Sequence, residues 1–163
     1  MRKQVLETKD LLLCEMNESV LEDLKGILQD DRVMYAYNGA FSHEECLAWL
    51  QKQMKRYHDY GFGLWGVWLK GNSKMIGQCG ITMQEYLGAQ VPEVGYLLAY
   101  KYWHRGYAVQ ASHACLEYGF NTLKLEKMYS TNEFQFAVIY GRRRVGRDSK
   151  SKFNWIVASG FEE

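Results

Sequence analysis

The sequence predicts an α/β fold in which a mostly antiparallel sheet is flanked by helices, and three observations carry that expectation. Two β-rich runs, Phe62 to Leu69 and Ile76 to Tyr86, flank the turn-forming Lys70-Gly71-Asn72-Ser73 and predict a hairpin. Two runs with apolar residues at helical spacing, Glu18 to Gln29 and Cys46 to Met54, precede it. Between Glu93 and Leu123 a strand-like run passes through Lys101-Tyr102-Trp103-His104-Arg105-Gly106 into a third helical pattern.

In chain order, Leu11-Leu12-Leu13-Cys14 predicts a short first strand. Val20, Leu21, Leu24, Ile27 and Leu28 then share one helical face, capped by Asn17 or by Ser19 with Glu22 three residues on; Asp30-Asp31 ends that helix. Ser42 caps the next helix, with Glu45 completing a capping box, and the pattern runs to about Asp59. After the hairpin comes Pro92, the only proline, which fits only where no ladder N–H is needed. It opens the Glu93 strand, so three strands meander ahead of the third helix. Lys127 to Asn132 is a further short strand.

Composition narrows the function classes. A chain of 163 residues with 47% hydrophobic content can build one substantial core, and residues 1–163 are expected as a single domain. Twenty basic against 19 acidic residues give a formal charge of +1, so no global field favours nucleic acid or membrane. Cys14, Cys46, Cys79 and Cys115 are widely spread without C-x-x-C or zinc-ligand spacing. Reduced, largely buried thiols follow, with no metal site. The N-terminus lacks an apolar signal core and no run reaches the roughly 18 apolar residues of a membrane helix, so a cytoplasmic protein is expected.

The joint at residues 101–108 is the most informative stretch. A helix starting near Gly106 or Tyr107 leaves its first backbone N–H groups without internal partners and presents a positive dipole end. Gly106 lets an anion approach the backbone, and Ala108 leaves the first turn open. Those groups can hold a phosphate.

Glu93-Val94-Gly95-Tyr96-Leu97-Leu98 followed by Tyr102-Trp103-His104-Arg105-Gly106-Tyr107-Ala108 resembles the acetyl-CoA-binding core of the GNAT acetyltransferases. The likeness is closest to the branch that acetylates the N-terminal alanine or serine of ribosomal proteins, and it covers Leu11 to Asn132. The general pattern Q/R-x-x-G-x-G/A has Trp103 in its first place, a departure that this branch tolerates. The resemblance implies a GNAT fold whose fourth and fifth strands splay to admit the pantetheine arm. It implies cofactor contacts from Leu97, Leu98 and Ala99 on the strand, from Trp103, His104, Arg105, Gly106, Tyr107 and Ala108 in the loop, and from Asn132. It also implies an acceptor wall at Arg32 to Phe41, where Tyr35, Tyr37, Asn38 and Phe41 supply the lining.

Acetyl transfer to an amine needs a neutral amine, a polarised thioester carbonyl and an acid for the leaving thiolate. Glu93 can accept the amine proton through water, a backbone N–H near Leu98 can bond the thioester oxygen, and Tyr140 can protonate the thiolate. Tyr140 takes that role because it lies near where the family keeps a helix-borne tyrosine; Tyr129 is a poorer choice. His104 is expected to face anion or solvent, and His113 to sit on a helix face.

Beyond Asn132 the family pattern of N-x-x-S, an amphipathic helix and two strands gives way. Gln135 stands where serine is expected, and Gly141-Arg142-Arg143-Arg144 interrupts any apolar face. Gly141 to Lys152 holds six basic residues and one acidic, a local +5, leaving 1 − 5 = −4 for the remainder. A shifted coding frame after about Glu133 would account for the change. The expectation is an N-acetyltransferase using acetyl-CoA and a primary amine, either a protein N-terminus or a small amine, as a monomer or homodimer without nucleic acid or membrane. The rivals are a catalytically silent CoA-binding module and an RNA-contacting protein using Arg142, Arg143, Arg144 and Arg147.

Overall fold

The structure is a computed structural model and describes residues 1–132, 135–140 and 156–160. Helices lie at α1 (Leu21–Leu28), α2 (His43–Tyr60) and α3 (Tyr107–Asn121). The strands are β1 (Gln4–Glu7), β2 (Leu11–Cys14), β3 (Leu64–Leu69), β4 (Met75–Tyr86), β5 (Ala89–Leu98), β6 (Lys127–Asn132), β7 (Gln135–Tyr140) and β8 (Ile156–Gly160). They form one sheet in sequence order, antiparallel throughout except where β5 meets β6. That parallel pair is joined by α3, the crossover that parallel neighbours require.

Caps fix the helix starts. Asn17, not Ser19, caps the first: its side chain accepts from the Ser19 N–H, and a 3₁₀ turn at Glu18–Val20 feeds into α1. Ser42 and Glu45 form the expected reciprocal box at α2, with Glu45 N–H to Ser42 Oγ at 3.1 Å and Ser42 N–H to Glu45 Oε2 at 2.7 Å.

Strand alternation sends side chains to two cores. Trp65, Val67, Cys79, Ile81 and Val94 pack against Ala111, Cys115 and Leu116 of α3. Trp68, Met75 and Leu97 belong to the opposite layer, with Leu24 and Ile27 of α1 and Leu50 of α2. All four cysteines are buried and free, as expected from their spacing. No helix among the described residues is long and apolar enough to cross a membrane.

Two features depart from the expected order. The edge strand β1 was not anticipated, so the family's fourth and fifth strands are β5 and β6 here. The segment after Asn132 turns back as β7, in register from Asn132↔Gln135 to Lys127↔Tyr140, instead of entering a helix. Its sequence explains this: Phe136, Val138, Ile139 and Tyr140 are strand formers that crowd a helix turn. The arginine run and Phe161 lie outside the described residues.

Candidate active site

Strand β5 pairs with β4 over its whole length, from Gly77↔Leu98 to Tyr86↔Ala89. With β6 it shares a single register point, Glu93↔Tyr129. Past that point the two strands part, which is the splay that the resemblance implied. The Ala99 N–H donates to the Ile76 carbonyl at 2.9 Å. Alternation therefore turns the backbone groups of Ala99, Leu97 and Gly95 toward β4, and those of Leu98 and Tyr96 toward the opening. The Leu98 carbonyl accepts from Trp103 Nε1 at 2.8 Å, leaving the Leu98 N–H and the Tyr96 groups on the open side. Of Leu97, Leu98 and Ala99, from which cofactor contacts were implied, only Leu98 turns its backbone groups toward the opening; those of Leu97 and Ala99 face β4, where the Ala99 N–H is committed.

The loop that follows is built on backbone hand. His104 has φ 58° and Gly106 φ 78°, both left-handed, so the chain folds tightly into α3. No side chain caps α3, and its first N–H groups, from Tyr107 to Val109, have no partner within the helix. A Cβ placed on Gly106 would meet nothing within 4 Å, so the space before these donors is open. Gln110, one turn on, anchors the helix start: its Oε1 accepts from the Asp10 N–H at 3.0 Å and from Thr8 Oγ1, and its Nε2 donates to Asp10 Oδ2 at 3.0 Å.

The turn that carries Tyr35, Tyr37 and Asn38 is held from below. Tyr37 ends a 3₁₀ turn at Tyr35–Tyr37 that Asn38, at φ 64°, closes. Its ring meets Phe41 at 6.2 Å and Trp49 at 5.8 Å, both edge to face. Trp49 Nε1 in turn donates to Oε1 of the buried Gln78 at 3.0 Å. Burial first, and the Glu93 carboxylate second, push the Tyr37 phenol above its ordinary pKa, while Arg56 draws it down. Burial lowers the Arg56 guanidinium, with nearby tyrosines and Glu93 opposing. Arg56 Nη1 donates to Gln53 Oε1 at 3.1 Å.

One cleft of about 820 Å³ joins these parts. It brings together Tyr35, Tyr37 and Asn38 from the turn ahead of α2, Glu93, Leu97 and Leu98 from β5, and Trp103, His104, Gly106, Tyr107 and Ala108 from the loop. Phe41, Ala99 and Arg105 stand outside its lining. Phe41 instead supports Tyr37 and Trp49, and Arg105 is exposed between two left-handed residues.

Sequence reasoning missed Gly95, Tyr96, Tyr102, Val109 and Ser130, which also line the cleft. The period of two along β5 could have found Gly95, which falls between Glu93 and Leu97 on one face. Tyr140 is not on a helix but ends β7, opposite Lys127 on β6 and Ile156 on β8. Since Lys127 precedes Tyr129 by two residues, that register sets Tyr140 before the parting of β5 and β6, two strands out from Glu93. Asn132 ends β6, opposite Gln135.

An open edge that can bond amides, beside unpartnered helix-start N–H groups that can bond a diphosphate, suits an acyl thioester of coenzyme A. Fold and cleft thus define an acyl-transfer protein. Residues 10–133 match the model of the acetyltransferase (GNAT) domain, and the chain belongs to that family, whose domain binds acetyl-CoA. It is 35% identical over 127 residues to the uncharacterized protein YkkB of Bacillus subtilis, covering 77% of this chain and 74% of that one. It is 28% identical over 159 residues to the uncharacterized N-acetyltransferase YnaD of the same organism, covering 96% and 90%. Among solved structures, a GNAT-family acetyltransferase from Bacillus anthracis superposes with a TM-score of 0.64 at 27% identity, covering 77% of this chain and 71% of that one.

Proposed function

We propose that the protein is an N-acetyltransferase that moves an acetyl group from acetyl-CoA to a primary amine by direct attack in a ternary complex. The observation that carries this reading is the shared cleft, which holds the loop ahead of α3 with its unpartnered N–H groups, the parted strand edge and Glu93. Acetyl-CoA, when bound, supplies an activated acyl group on sulfur. Backbone N–H groups from Tyr107 to Val109 hold its diphosphate, and the edge groups of Tyr96 hold a pantetheine amide. The Leu98 N–H receives the carbonyl oxygen, where negative charge develops during attack. Glu93 accepts the amine proton, directly or through water, and keeps the nitrogen lone pair available. Tyr35, Tyr37 and Asn38 shape the acceptor end.

The acceptor is a protein N-terminus or a small amine, and the protein works in the cytoplasm as a monomer or homodimer. Incubation with acetyl-CoA and a panel of amines, following free thiol, tests the reading. Thiol release that depends on an amine is expected. The altered element after Asn132 favours one rival, a CoA-binding module without catalysis, which predicts CoA binding in calorimetry and no amine-dependent release.

A further inference from the structure

We infer that Tyr37 is a catalytic residue: its phenol delivers the proton required by the departing thiolate, and it is recharged from Glu93. The inference rests on the acetyl-transfer reading above and assigns its missing acid. Tyr140, the tyrosine expected to act as acid, ends a strand two removed from Glu93 and lies before the strands part. Tyr37 lines the same cleft as Glu93 and Leu98.

Its ring is fixed as a catalytic group must be. Phe41 and Trp49 meet it edge to face, Trp49 is tied to the buried Gln78, and the left-handed Asn38 closes the turn that carries it. The residue is 43% exposed, so this packing does not seal it from the cleft. The charged groups facing it are Glu93 from β5 and Arg56 from α2. Burial and Glu93 outweigh Arg56 in setting its pKa, so the phenol is protonated through neutral pH, as a proton donor must be.

The transfer balances without any further reactant. The nitrogen–carbon bond forms as the carbon–sulfur bond breaks, and the nitrogen gives one proton to Glu93. Tyr37 gives its hydroxyl proton to sulfur, and the Glu93 carboxylic acid returns a proton to the phenolate, restoring both side chains. The return step needs the two groups within reach of each other, directly or through water, and both line the one cleft.

Two measurements test this. In the free protein, ring-labelled tyrosine followed by NMR, with the Tyr37 signal identified by its loss in Tyr37→Phe, should titrate above the ordinary value of 10.0. Glu93→Gln should move that titration downward, because it removes the neighbouring negative charge. In turnover with acetyl-CoA and the best amine of the panel, Tyr37→Phe keeps the ring packing. It should lower kcat by about 100-fold or more, with acceptor KM and CoA affinity held within about threefold. A Tyr37 titration indifferent to Glu93→Gln overturns the inference, as does a wild-type kcat in Tyr37→Phe or a change confined to acceptor KM. Absence of amine-dependent turnover in the wild-type protein overturns the acetyl-transfer reading itself, and this inference with it.

Discussion

Gly106 and Gly95 do different work on either side of the cleft. Gly106 takes a left-handed φ of 78°, a conformation that costs other residues roughly 1–2 kcal/mol, and faces open space before the helix-start donors. Gly106→Glu adds bulk and negative charge at that spot, so calorimetry should find no CoA binding while thermal unfolding stays cooperative. Unaltered affinity would refute the anion site. Gly95 lies between Glu93 and Leu97 on one strand face, and a Cβ there meets nothing within 4 Å. Gly95→Val suits a strand yet fills cleft space beside Glu93. Acceptor KM should rise by about tenfold or more while CoA affinity holds, a split expected when only uniform acceptor binding is lost. Equal loss of both would place Gly95 on the cofactor side. Gly106 was legible in the sequence because a glycine before a helical pattern signals an open helix start. Gly95 was legible only as part of a motif, because its value comes from empty space above it.

At the scale of elements, α3 owes its position to side chains far away in sequence. Gln110 binds Thr8 and Asp10 with three hydrogen bonds, tying the first turn of the helix to the β1–β2 connection. Gln110→Leu leaves the Asp10 N–H without that acceptor, so stability should fall by about 1–3 kcal/mol in urea titrations and CoA should bind more weakly. An unchanged midpoint would mean that the helix start is held by core packing alone. Residues Gln135–Tyr140 form a strand where the family pattern has a helix, for an equally local reason. The β-branched and aromatic residues of β7 pair with β6 along Lys127 to Asn132, and Tyr140 went with them. Local propensity could have anticipated this strand; the family expectation of a helix obscured it.

Over the whole molecule, burial controls how stability responds to pH. Burial raises the pKa of Tyr57 and also lifts the Cys14, Cys46 and Cys115 thiols, Cys115 well above its ordinary value. A group raised on folding contributes stability that is complete below its unfolded pKa and is lost as pH climbs toward the folded value. The urea midpoint should therefore hold below pH 9, the ordinary thiol value, and fall above it, more steeply past 10.0 where unfolded tyrosine ionises. Tyr57→Phe should flatten that second phase while losing the hydrogen bond to the Leu64 carbonyl. A midpoint that rises with alkali would contradict this. Sequence by itself determined the helices, the hairpin, the Glu93 strand and the glycine-led start of α3, because periodicity, caps and one glycine act over a few residues. Only the tertiary structure decided which side chains share the cleft. Strand parity chose Leu98 over Ala99, register carried Tyr140 away from Glu93, and packing on Trp49 brought Tyr37 to the cleft, since each depends on contacts between residues distant in the chain.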